Sequence, residues 1–183
     1  MTDAELAARA HAGDREAFGE LVQRYAGQAR RVARAALGNE ADADDAAQDG
    51  FLAALRNLGR YDPTRPFGPW LMRIVANAAT DRRRRRKVRA TSEIPPQTAF
   101  MGPATDRAAL RGDFRDALAA ALAGLPERRR LAVVLFDVEG YSHKEIAEIL
   151  KVPVGTARSD VFHARRALRA ELADFEELKE EII

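Results

Sequence analysis

The chain of 183 residues contains no cysteine. Disulfides, thiolate metal sites and thiol-based redox sensing within it are thereby excluded. No apolar run approaches the roughly 20 residues that crossing a bilayer requires. The start MTDAELAARAHAGD is polar and carries no signal-peptide pattern, so a cytoplasmic location without membrane contact is expected. Aromatic residues make up only 7% of the chain and strings of alternating β-branched residues are nearly missing, which disfavours sheet. No serine or histidine constellation is present, so no enzyme activity, metal site or cofactor is expected.

What is present points to helix. Alanine, leucine, arginine and glutamate dominate, and 46% of the residues are apolar, enough for one or two small cores. Thr2 with Glu5 predicts a capping box and a short helix from Asp3 to about Ala12. Asp14 is predicted to cap a long amphipathic helix, in which Phe18, Leu21, Val22, Tyr25, Ala29, Val32 and Ala36 recur at three-to-four spacing until Gly38. A third helix is predicted from Asp42 to about Asn57. One stripe of it carries Phe51, Ala54, Leu55 and Leu58; another carries Asp45, Gln48, Asp49 and Leu52. The loop GRYDPTRPFGP then precedes a fourth helix opened by Trp70, Leu71, Ile74, Val75 and Ala78, with Trp70 assigned to the core.

Residues 90–106 hold prolines and glycine without apolar periodicity and read as an extended tether. Beyond it, a helix with Leu110, Phe114, Leu118 and Leu122 stops near Gly124. Pro126 is predicted in the first turn of the next helix, which ends at Gly140. Ser142 and Glu145 predict a second capping box, the short turn KVPVG follows, and Thr156 is predicted to cap a final helix with Val161, Ala164 and Leu168 inward. The expectation is an all-α protein: two small helical domains, 1–89 and 107–183, joined by an extended linker. The second is a four-helix helix-turn-helix domain with an acidic end.

Charge distribution carries the functional signal. The net charge is only +2, yet seven of the eight residues from Arg82 to Arg89 are cationic. One or two such charges would satisfy a helix C-terminus. A full run repels itself unless a polyanion lies against it, and nucleic-acid phosphates release counterions when neutralised. Just upstream, Arg73, Asn77, Asp81 and Arg84 fall along one polar edge of the helix, and Asn77 has the donor and acceptor that reading a base edge requires. In the final helix, Ser159, Phe162, His163 and Arg166 point away from the core, flanked by Arg158, Arg165 and Arg169; bases would be met in the middle and phosphates at the sides. The acids Asp45 and Asp49 admit three readings: solvated carboxylates, ligands of a hard cation, or, with Gln48 and Leu52, a docking face for a basic partner.

The order DADDAAQDGFLAAL, FGPWLMRIVANAATDRRRRR, a tether, then LPERRRLAVVLFDVEGYSHKEIAEILKVPVGTARSDVFHARRALR resembles bacterial RNA polymerase sigma factors of the extracytoplasmic function group, over nearly the whole chain. The resemblance implies a transcription initiation factor whose partners are core RNA polymerase, through the beta-prime clamp helices and the beta subunit, promoter DNA, and an anti-sigma factor; the free chain would be a monomer. It places Asp45, Gln48, Asp49 and Leu52 at the polymerase, with Phe51 in the core. It places Arg73, Asn77, Arg82, Arg83, Arg84, Arg85, Arg86 and Lys87 at the minus-ten element, with Asn77 on the melted strand. Thr156, Arg158, Ser159, Phe162, His163, Arg165 and Arg166 would meet the minus-thirty-five element. Two positions depart from the family pattern: His163, often arginine, and Asp160, usually basic. Asp160 is expected on a flank of the outward face, paired with Arg166 or a nearby lysine and weakening DNA affinity. The rivals are a helix-turn-helix regulator that never touches polymerase, which leaves the acidic face unexplained, and a nuclease using the carboxylates from Asp42 to Asp49.

Overall fold

The computed structural model describes residues 1–38, 42–90, 106–173 and 175. The expected tether and the acidic end beyond Phe175 lie outside the described residues, apart from the tether's two ends. Eight α-helices are present among the described residues, and no strand: α1 Asp3–His11, α2 Arg15–Leu37, α3 Ala43–Arg56, α4 Phe67–Ala90, α5 Asp106–Gly124, α6 Glu127–Val133, α7 His143–Leu150 and α8 Val154–Glu171. No helix among them is long and apolar enough to cross a membrane.

Local chemistry sets most boundaries. Thr2 and Glu5 form the reciprocal capping box of α1, and Asp14 accepts from the amides of Glu16 at 3.0 Å and Ala17 at 3.1 Å to start α2. Those bonds to the ionised form hold the Asp14 carboxyl below its ordinary range. Gly38, at φ +77°, closes α2 in the left-handed conformation that glycine adopts without steric cost. The fourth helix starts at Phe67, three residues before the predicted start at Trp70. The reason is tertiary: the Phe67 ring packs against Tyr25, Tyr61 and Trp70 with centroids 5.2–5.6 Å apart, and Pro69 is tolerated within a first turn that needs no amide donor. Likewise Pro126 stands just before α6 and not inside it, and α6 runs on as a π-helical turn over Val134–Val138.

Small residues bring α2, α3 and α4 together. Ala29, Ala33 and Ala36 of α2, Ala43, Ala46 and Ala54 of α3, and Ala76 and Ala79 of α4 are all buried. At Gly50 a Cβ would stand 2.8 Å from Val75 Cγ2 and 3.0 Å from its Cα, so α3 lies directly on α4 because that position has no side chain.

Helices α6 and α7 pack against this bundle, α8 packs on α6 and α7, and α5 on α8; Leu131, Leu135, Ile146, Ile149 and Val161 share one continuous core with Leu21, Leu71 and Val75. The junction is fixed by a buried guanidinium. Arg130 donates through Nε to Ala35 O and through Nη2 to Ala36 O at 3.4 Å, both at the end of α2. Its Nη1 faces Leu122, Ala123 and Leu125 carbonyls at 3.4, 3.3 and 3.0 Å, at the end of α5. Two helix C-termini, each with unsatisfied carbonyls, thus share one cation. Burial lowers the Arg130 pKa, with Arg83 nearby adding to the effect.

Arg130→Ala leaves several buried carbonyls without donors together. It is expected to destabilise the chain by about 3 kcal/mol in urea unfolding followed by circular dichroism. Arg130→Lys restores only part of that, because an ammonium cannot reproduce the planar fork.

Candidate nucleic-acid interface

The acidic stripe of α3 is exposed at Asp45, Gln48, Asp49 and Leu52, with Phe51 buried beneath it. Gln48, Phe51 and Leu52 also border an open groove of about 530 Å³ with Phe18, Val22 and Ala26 of α2. The carboxylates face the arginine block. Arg82 donates to Asp45 at 2.7 Å and to Asp49 at 3.1 Å, and Arg86 donates to Asp42 at 2.7 Å. Asp44 turns the other way and pairs with Arg30 at 2.8 Å.

Winding at about 100° per residue disperses the block around α4. Arg82 and Arg86 point at α3. Arg83 reaches the second half of the chain, where it pairs with Glu127 at the start of α6; the Thr80 hydroxyl donates to the same carboxylate at 2.7 Å. Arg84 and Arg85 are exposed. The Lys87 side chain lies outside the described residues. Exposed Asn77 lines a pocket of about 730 Å³ with Trp70, Arg73 and Arg85, and also with Arg56, Arg60 and Lys151. These last three cations were not anticipated. Arg56 and Arg60 end α3 and the following turn, and Lys151 belongs to the turn between α7 and α8, so only the folded chain brings them to Asn77. Six cationic residues line this pocket against two carboxylates, Asp49 and Asp81.

In the second half, α7 and α8 form the helix-turn-helix. Ser142 and Glu145 make the predicted capping box, and Lys151 ends α7 at φ +54°. Ile146, Ala147, Ile149, Ala157, Val161 and Ala164 are buried, while Arg158, Ser159, Phe162, His163 and Arg166 are exposed on one face of α8. The rings of Phe162 and His163 meet edge-on at 5.4 Å. Two expectations need correction, those for Thr156 and Asp160. Thr156 does not cap α8, because Pro153 with φ −59° precedes a helix that already begins at Val154; Thr156 sits half-buried in its first turn. Arg165 is drawn sideways by a bidentate pair with Asp137, which raises its pKa, and lies 4.9 Å over the Phe136 ring. Asp160 is not on a solvated flank beside Arg166. It is 3% exposed and accepts from Arg128 Nε at 2.5 Å, with Arg129 Nε 3.8 Å away. At about 100° per residue it lies close to the inward direction of Ala164, so it faces α6.

The Sigma-70 region 2 family matches residues 21–89, and the Sigma-70 region 4 family matches residues 115–168. The ECF RNA polymerase sigma factor SigM of Mycobacterium tuberculosis is 41% identical over 167 residues, covering 91% of this chain and 83% of that protein. SigW of Bacillus subtilis is 31% identical over 172 residues, covering 88% and 92%. The structure of CnrH in complex with the cytosolic domain of CnrY superposes with a TM-score of 0.71 at 33% identity, covering 95% of this chain and 98% of that one. Region 2 followed by region 4 on one helical chain is the arrangement of a sigma-70 type initiation factor. This chain belongs to the extracytoplasmic function (ECF) group of that family, the factors that direct RNA polymerase to promoters.

Asp160→Arg places an unpaired cation where α8 meets α6. The expected result is loss of about 3 kcal/mol of stability, read as a lowered melting midpoint, and not merely a gain in phosphate affinity.

Proposed function

We propose that residues 1–89 dock on core polymerase and read the minus-ten element, that residues 107–183 read the minus-thirty-five element, and that the segment between them is a linker. Asp45, Gln48, Asp49 and Leu52 form the docking face for the polymerase clamp helices. Arg73, Asn77 and the outward-facing arginines of the block, Arg84 and Arg85, hold the melted strand and its flanking backbone. Arg158, Ser159, Phe162, His163 and Arg166 read the major groove, with Thr156 and Arg165 beside them. The chain works in the cytoplasm, performs no covalent chemistry, and is held in reserve by an anti-sigma protein; that the related CnrH forms a complex with the cytosolic domain of CnrY is in keeping with a protein partner.

The observation that carries this reading is the exposed Asn77 at the wall of a pocket rich in arginine. An unpaired base entering it gains amide hydrogen bonds and cation contacts, which offset the few kcal/mol lost on unstacking. Melting is then driven by binding. Lys151, from the turn between α7 and α8, lines the same pocket, so the second half of the chain adds a cation to the site that meets the strand.

Run-off transcription with purified core polymerase tests the whole reading: the chain should co-elute with the core enzyme and select discrete start sites. Asn77→Ala should weaken binding of a minus-ten fork-junction DNA by roughly 10-fold or more while leaving co-elution intact. Failure to confer start-site selection would count against the assignment.

A further inference from the structure

The arginine block reads in sequence as a row of equivalent phosphate ligands. In the folded chain its members have different occupations. Arg82 spans two carboxylates one helical turn apart, Asp45 and Asp49, with one terminal nitrogen on each, and its Nη2 also stands 3.9 Å from Asp42. Asp42 precedes α3, where a carboxylate ordinarily caps the helix, yet its side chain makes no cap bond and turns to Arg86 at 2.7 Å. The approach is built into the backbone, since Gly50, next to Asp49, sets α3 down on Val75 of α4, about two helical turns before Arg82. Arg84, by contrast, is 79% exposed and has one local neighbour, Asp81 at 3.3 Å. Arg85 is exposed; both it and Arg82 line the Asn77 pocket, but only Arg82 reaches there with its guanidinium held by two carboxylates.

We infer that Arg82 is a positioning residue of the polymerase-docking face, not a ligand of promoter phosphate, and that the phosphate role of the block falls to Arg84 and Arg85. The inference rests on the docking role proposed above for Asp45 and Asp49. Like charges four residues apart on a helix repel, and each short side chain is free to turn away. A guanidinium fork between them removes the repulsion and fixes both rotamers. It does not use them up: an ionised carboxylate has about four acceptor sites, and Asp45 and Asp49 remain 64% and 55% exposed at their side chains. A cationic partner therefore meets two carboxylates already aligned. For Arg82 to turn to phosphate it would abandon both at once, whereas Arg84 gives up a single exposed pair.

The test uses the full chain and two readouts. Affinity for core polymerase is measured by fluorescence titration. Promoter binding by the holoenzyme, formed at saturating concentration of the chain, is measured from 50 to 300 mM salt. Arg84→Gln and Arg85→Gln should each reduce the slope of log K against log salt by about 1. Arg82→Gln should leave that slope unchanged and weaken polymerase binding about fivefold, with Arg82→Lys recovering only part because one ammonium cannot span both acids. A reduced slope for Arg82→Gln, with or without a change in polymerase affinity, overturns the inference, as does unchanged polymerase affinity for that variant. Asp45→Asn separates the two levels. If it leaves polymerase binding intact, the docking role itself falls and takes the inference with it; if it weakens binding while Arg82→Gln does not, only the positioning role is lost.

Discussion

A single buried guanidinium decides how the two halves of this chain meet. Arg130 lies between the last carbonyls of α2 and those of α5, so two negative helix ends that would otherwise repel share one cation. Gly38 makes room for it: a Cβ there would come within 3.1 Å of Arg130 Nη2, and the positive φ already favours glycine. With α6 fixed to the end of α2, the remaining polar contacts follow. Arg31 donates to Glu139 at 2.6 and 2.9 Å, with the carboxylate 2% exposed, and the Tyr141 hydroxyl donates to Gln28 at 3.0 Å. Burial pushes the Tyr141 phenol well above its ordinary range, so it remains a donor throughout the physiological interval.

These contacts fix register more than they add stability. Desolvating a charge costs several kcal/mol, which its hydrogen bonds roughly offset. The driving force comes from Leu131, Leu135, Ile146 and Ile149 entering a core shared with α2 and α4. Apolar contact of that kind is nearly indifferent to small rotations. Fixed donors and acceptors at Arg130, Glu139 and Tyr141 select one orientation, and Gly68 requires the same one, since a Cβ on it would stand 2.8 Å from the Tyr141 hydroxyl.

What could be read from the sequence was mainly what is local. The boxes at Thr2 with Glu5 and Ser142 with Glu145, the cap at Asp14 and the glycine stop at Gly38 depend on residues within a turn of each other. Helical periodicity likewise sufficed to place Val161 inward and Phe162, His163 and Arg166 outward. The misses are contacts between distant segments. Asp160 meets Arg128 across 32 residues, Arg130 meets Ala35 across 95, and Lys151 joins Asn77 only when the halves pack. Nothing in ERRRL separates the buried arginine at 130 from exposed Arg128 and half-buried Arg129, because the fold and not the composition decides which one finds carbonyls. Periodicity alone splits the arginine block into faces, but which face meets acids depends on the seating of α3 at Gly50.

Lys151 shows how the two halves combine at the candidate site. A residue that ends a helix in the left-handed conformation is usually glycine, because any Cβ there costs roughly 1 kcal/mol. Lysine at this position accepts that strain and adds a cationic residue to the lining of a pocket whose other walls come mainly from α3 and α4. Charges converging on a concave, partly apolar surface raise the local potential more than the same charges spread over a convex one. The net charge of +2 therefore understates what an approaching strand meets. Several of the chain's cations are taken up by internal pairs, while Arg56, Arg60, Arg73, Arg85 and Lys151 converge where Asn77 presents its amide.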